Sequence, residues 1–167
     1  MKLVKSILLG IAALGFSTTA YAQDSNAYVN LGVKTYEFDT YNLMARLGYN
    51  FSQNFGIEAE GSLGLIDDEI RTGVDLETQW DLGAYIVGRV PVSEKLDLFA
   101  RAGYTSVNFH VEGTGVQTAD FNADGFAVGG GLQYNISDLN GIRIGYTYNE
   151  ADGIDADVID LSFVRKF

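Results

Sequence analysis

The stretch SVNFHVEG holds Ser106, the chain's only histidine, His110, and Glu112. Hydroxyl, imidazole and carboxylate are the groups that nucleophilic catalysis combines, and in an extended strand positions 106, 110 and 112 share one face. At ~3.3 Å per residue, however, Ser106 stands about 13 Å from His110, too far for a hydrogen bond. A partner serine would have to come from another strand, so no catalytic residue is assigned. Acids gather in three further stretches: Asp67, Asp68, Glu69, Asp75 and Glu77, then Asp120 and Asp124, then Glu150, Asp152, Asp155 and Asp157. Ca²⁺ and Mg²⁺ take such oxygens, and cations bridging these acids to one another or to lipid phosphates are one reading of them. DGIDAD has only part of a calcium-loop spacing, so no metal or cofactor site is assigned.

A third set of ionisable residues is spread thinly along the chain: Lys34, Arg46, Arg89, Arg101 and Arg143 against Glu58, Glu60, Asp81 and Asp160. Each stands at an alternate position in a segment that otherwise reads as strand. Their near balance contrasts with a chain of 22 acidic and 11 basic residues and a formal charge of -11. An excess of that sign excludes ordinary nucleic-acid binding, which rests on basic groups neutralising phosphates.

Elements must position these charges, and the first residues are not among them. Lys2 and Lys5, an apolar run from Ile7 to Phe16 and the small-residue pattern Ala20-Tyr21-Ala22 read as a secretory signal peptide over 1–22. Residues 23–167 then form one domain. The chain has no cysteine to supply disulfides. Twenty glycines, ten tyrosines, ten phenylalanines and one proline favour sheet over helix. After the signal no apolar run approaches the ~20 residues a membrane helix needs, so a membrane-spanning form would have to be a closed β-barrel.

Period-two patterning predicts eight strands, over 27–36, 40–50, 54–65, 74–90, 95–110, 120–135, 140–149 and 156–167. The short breaks NFSQN, PVSEK and SDLN alternate with mostly longer, acidic ones, as an up-and-down barrel with tight turns on one side requires. In GIRIGYTY, Ile142, Ile144, Tyr146 and Tyr148 share one face, and Arg143, Gly145, Thr147 and Asn149 the other. YNLMARLGYN, FGIEAEGSLGL and GFAVGGGLQYN divide in the same way.

A soluble lipid-binding barrel would turn the apolar face inward. Glycines crowd the polar face (Gly48, Gly56, Gly64, Gly83, Gly103, Gly129, Gly131, Gly145), which suits a narrow interior. An arginine facing lipid near the midplane would cost about 2–4 kcal/mol, so the nine charged residues are expected to face inward and pair. Tyr49, Phe55, Tyr134 and Phe167 at one level, with Tyr36, Tyr41, Trp80 and Tyr148 at the other, suggest two interfacial aromatic girdles.

From the signal through LDLFARAGYTSV and DGFAVGGGLQYNISDLNGIRIGYTY to SFVRKF, the chain resembles the small eight-stranded outer-membrane β-barrel proteins of the OmpX, OmpA transmembrane-domain and opacity-protein type. The resemblance implies an all-β, eight-stranded antiparallel up-and-down transmembrane barrel in the outer membrane of a Gram-negative bacterium. It also implies lipid and lipopolysaccharide as surroundings, and periplasmic chaperones and the barrel-assembly machinery as partners during biogenesis. Ile159, Leu161, Phe163 and Phe167 match the family's C-terminal assembly signal, whereas Arg165 stands where an apolar residue is usual. Eight strands leave an interior just wide enough for side chains. The expectation is therefore a non-enzymatic structural or interaction protein with no cofactor, its function lying in adhesion or envelope integrity. An outer-membrane lipid-modifying enzyme and a soluble periplasmic barrel are the alternatives.

Overall fold

The computed structural model describes residues 26–36, 40–66, 68–71, 74–113, 119–151 and 154–167. The segment read as a signal peptide lies outside them. Alternating apolar and small polar residues, rich in β-branched and aromatic types, give nine antiparallel strands among the described residues. These are β1 (Ala27–Tyr36), β2 (Thr40–Asn50), β3 (Phe55–Ile66), β4 (Asp68–Arg71), β5 (Val74–Pro91), β6 (Leu96–Gly113), β7 (Ala119–Asn135), β8 (Asn140–Ala151) and β9 (Ile154–Lys166). β3 and the short β4 lie along the same edge of β5, so eight strands complete the circle. The closing seam is β9 against β1, with Lys34 opposite Asp160 and Val33 opposite Leu161. Closure leaves no edge unsatisfied within the wall.

Strands run further than the acidic breaks suggested. GLIDDEIRTGVD contains all of β4 and the start of β5, β6 continues to Gly113, and β7 begins at Ala119. The physical reason is pairing: the β5–β6 ladder continues past the barrel rim from Trp80 opposite Asn108, through a register shift between Thr78 and Trp80, to Val74 opposite Gly113. Each added pair gains hydrogen bonds without opening a new turn.

The opposite rim is built from three turns of one design. Ser52, Ser93 and Ser137 each donate a backbone N–H to a carbonyl three residues on (Phe55, Leu96 and Asn140), each at 3.1 Å. The Ser52 and Ser137 hydroxyls accept in return from the amides of Phe55 (2.9 Å) and Asn140 (3.1 Å). An exposed apolar residue precedes every one of these serines: Phe51, Val92 and Ile136.

The sheet is inverted relative to a water-soluble core. Leu47, Ile86 and Phe126 point outward at 65%, 64% and 74% exposure, while Arg46 and Arg143 are wholly buried. Glycine makes the crowded interior possible. A Cβ at Gly48 would fall on the ring of Tyr28, and one at Gly145 on the carboxylate of Asp160. On the outer wall a Cβ at Gly88 meets only Phe55, at an ordinary 3.7 Å. Gly48→Val is therefore expected to cost about 1–3 kcal/mol by overpacking, read as a lower urea midpoint of the refolded barrel. Gly88→Val should stay within about 0.5 kcal/mol, and equal shifts would contradict the packing described.

Candidate functional site

Strand alternation sends one residue in two into the lumen, so β1, β2, β3, β5, β6, β8 and β9 each contribute charge to it. The centre is organised by two carboxylates on neighbouring inward positions of β3. Glu60 receives Lys34 Nζ at 3.0 Å, Arg46 Nη2 at 2.6 Å and Arg101 Nη1 at 2.6 Å. Glu58 receives Arg143 Nη1 at 2.5 Å and Arg89 Nη2 at 3.2 Å, with Arg46 Nε at 3.6 Å. Asp81 holds the other side of Lys34 at 2.6 Å. Asp160 lies 3.5 Å from Arg46 and 4.0 Å from Arg101. All nine charged positions singled out in the sequence thus stand in one connected lumen network. Buried charges at this density persist only when paired; Asp160 is held by proximity to its two cations alone, neither of its carboxylate oxygens having a hydrogen-bond partner among the described residues.

Several partners in that network carry no charge. Tyr28 donates to Glu58 at 2.5 Å and accepts from Arg89. Ser62 donates to Asp81, and Tyr36 donates to the same carboxylate at 2.9 Å. Arg101 reaches Thr147 Oγ1 at 2.7 Å. Four of the cations also lie over aromatic rings: Arg143 on Phe99 (3.5 Å to the centroid), Arg101 on Tyr85 (4.3 Å), Arg89 on Tyr28 (4.4 Å) and Lys34 near Tyr36 (5.4 Å). Desolvated stacks of this kind add electrostatic attraction to the ring face. Tyr36, expected in an outer girdle, is instead an interior residue, because it shares parity with Lys34 and its hydroxyl points at Asp81. Tyr28 was visible by the same parity, next to Asn30 and Lys34, but alternation read only for charges passes over it.

Towards the turn side the lumen ends in a second polar layer that charge patterning did not single out. Asn135 donates to Asp97 at 2.8 Å and accepts from Lys166 and Gln133, each at 3.0 Å. Towards the loop side a cavity of about 10 Å³ is bounded by Lys34, Asp81, Arg101, Thr105 and Thr147. That is roughly the volume one water molecule needs. The girdle positions Tyr49, Phe55 and Tyr134 are exposed at the turn end, and Trp80 at the loop end.

The other candidates are placed as follows. His110 faces Glu77 of β5 and Asp120 of β7 in backbone register, and Glu112 faces Asp75, but the side chains of these five residues lie outside what the structure describes. Ser106 faces Leu82 and Asp124. Among the described residues no group of acids or histidine is arranged to hold a metal ion. Asp67 and Asp152 lie outside the described residues. On β9, Leu161 stands opposite Val33 and Ile144, and Phe163 opposite Leu31 and Ile142, all on the outward face; Ile159 shares their parity. The Phe167 amide donates to the Ala27 carbonyl at 3.0 Å, and Arg165 reaches Asn140 Oδ1 at 2.8 Å, so its guanidinium is held at the rim.

A wall that is apolar outside and charged inside, closed on itself, is what a barrel immersed in hydrocarbon requires. The family model described as outer membrane protein beta-barrel domain matches residues 6–167. The chain belongs to that family. Its fold recurs in the N-terminal β-barrel domain of Pseudomonas aeruginosa OprF, with TM-score 0.68 and 12% identity over 87% of this chain and 100% of that one. Ail, the attachment invasion locus protein of Yersinia pestis, superposes with TM-score 0.62 and 17% identity, again over 87% of this chain and 100% of that one. Neisserial surface protein A gives 0.59 and 13% over 84% and 94%. Likeness at these identities concerns the fold. No curated protein sequence matches the chain significantly. The protein is an outer-membrane β-barrel whose described lumen is a filled ion-pair network.

Proposed function

We propose that this outer-membrane barrel is a structural or interaction protein of a Gram-negative envelope, exported behind residues 1–22, and that it acts through what it displays rather than through a pore or a reaction. The observation that carries this reading is the division of labour between wall and rim. Inside, every central carboxylate is engaged by cations, and the cavity beneath the loop side is the size of one water. Above the rim, β4 and the outer parts of β5, β6 and β7 pair with one another beyond the last β7–β8 pair, Gly125 with Ala151. A sheet held up by a plugged barrel offers paired backbone, acidic in sequence, to a partner at the cell surface, in adhesion or in envelope integrity. Fold likeness to a protein called an attachment locus does not transfer its role; the projecting sheet and the filled lumen are the support.

On this reading the outer surroundings are lipopolysaccharide and lipid. Ile159, Leu161, Phe163 and Phe167 are what the barrel-assembly machinery and periplasmic chaperones meet before insertion. Fractionation tests the whole: the protein should sediment with outer membranes and migrate differently on a gel before and after boiling. In planar bilayers it should pass no steady current, and it should hydrolyse no lipid. Recovery in the aqueous periplasm would point to a soluble barrel, and a stable conductance would refute the plugged lumen.

A further inference from the structure

The outward face of β9 reads Asp155, Asp157, Ile159, Leu161, Phe163, Arg165, so three apolar residues alone separate its charges. β5 stands four strands from β9 in either direction round the circle. Its outward face runs from Trp80 through Leu82, Ala84, Ile86 and Gly88 to Val90 without a charge. At ~3.3 Å per residue and a tilt of ~40°, the run on β5 is about 25 Å tall, the full apolar band of a membrane barrel. Asp157 and Arg165 stand only about 20 Å apart in height on the same measure, and Ile159 to Phe163 covers about 10 Å. Both charged groups are held against the wall. Arg165 donates to Oδ1 of Asn140, the residue directly opposite it in the ladder, so its guanidinium does not extend beyond the rim. Asp157 accepts from Tyr146 at 2.6 Å, and Tyr146 lies opposite Ile159, one outward position deeper in the wall. Tyr148 likewise donates to Asp155. Snorkelling, the usual way to lengthen a short band, is therefore closed to both ends.

We propose that the barrel pinches the membrane on one side: the hydrocarbon thins by about 5 Å along β9 and the neighbouring part of β8, keeps its ordinary thickness at β5, and gathers lipids with short acyl chains at the thin side. Leaving the bilayer unthinned would draw Asp157 or Arg165 into hydrocarbon, where a charge is expensive, whereas thinning carries a modest cost per Å. Tilting the barrel gives no relief, because it moves both charges of one side in the same direction and leaves their separation unchanged. A second copy is a poor cover for the same surface. A two-fold axis along the membrane normal brings identical heights together, so Asp157 would meet Asp157 and Arg165 would meet Arg165. Lipid is the occupant, and the length of its chains is what the wall selects. The thin side adjoins the closing seam of β9 with β1.

Fluorescence quenching by brominated lipid tests this on the refolded full chain. In a Trp80→Phe background a single tryptophan is placed mid-strand, by Leu161→Trp on β9 or by Ile86→Trp on β5; both positions are exposed on the outer wall. The vesicles hold equal amounts of dimyristoleoyl and dioleoyl phosphatidylcholine, which share one headgroup and differ in chain length, with one of the two brominated in each sample. At Leu161→Trp the shorter lipid should be favoured at least about twofold over its share of the mixture, and at Ile86→Trp neither should be favoured. Adding Asp157→Leu and Arg165→Leu lengthens the apolar run on β9 and should bring its ratio to that of β5. If that combined variant does not refold, the comparison of Leu161→Trp with Ile86→Trp still decides. A ratio near one at Leu161→Trp would overturn the pinch, and the same preference for short chains on both strands would make the whole barrel short rather than one side. A tryptophan on β9 that neither lipid quenches would put a second copy in place of lipid.

Discussion

Glu60→Gln should destabilise the folded barrel by about 3–5 kcal/mol, the cost of leaving buried charge without its partner. The change keeps shape and removes the charge that Lys34, Arg46 and Arg101 share at 3.0, 2.6 and 2.6 Å. Urea unfolding in detergent micelles, followed through the single tryptophan, Trp80, reads it as a lower midpoint at unchanged slope. The network also predicts non-additivity. Lys34→Met in the Glu60→Gln background should recover part of the loss, because it withdraws one of the stranded cations. A single-variant shift below about 1 kcal/mol would place the pair among weakly coupled surface interactions and contradict the burial described.

Ile86→Arg tests the opposite face, with an expected cost of about 2–4 kcal/mol in a bilayer. Ile86 sits mid-strand on β5 with 64% of its surface open, flanked by Ile57 and Ala102 on neighbouring strands. In water such a position would accept arginine within about 0.5 kcal/mol. The size of the loss in lipid vesicles therefore reports which solvent covers the wall. A neutral result would favour a water-exposed exterior and overturn the orientation of every strand at once.

Much of this architecture can be read from alternation alone. GIRIGYTY divides its residues between lipid and lumen with no further information, and the three described turns, at 51–54, 92–95 and 136–139, fall within a residue or so of the breaks read from the sequence. Loop length was less legible. Alternation persists weakly through DEIR and VEG, and whether such segments pair depends on a neighbouring strand already being in register. Partner choice inside the lumen was not legible, because it depends on stagger around the circle. Glu58 and Glu60 are two residues apart on β3, yet Arg143 on β8 reaches the first and Arg101 on β6 the second. The aromatic beds beneath the cations were hidden by the habit of assigning every large ring to the outside. Tyr28, Tyr36, Tyr85 and Phe99 all have inward parity, and each lies beneath or beside a cation.

The reach of these lumen contacts constrains the order in which the molecule can come into being. Arg143 and Glu58 are 85 residues apart in the chain, and Lys34 comes to lie beside Asp160 only when β9 meets β1. A sheet lacking its last two strands would hold Glu58 without Arg143 and Arg46 without Asp160, with that side open to hydrocarbon. Neutralisation of the core arrives late, with the final hairpin, and a half-built barrel has no low-energy resting place in the membrane. Insertion and closure must then be a single event in time, so a variant that delays the seam between β1 and β9 should accumulate as chain that never enters the bilayer.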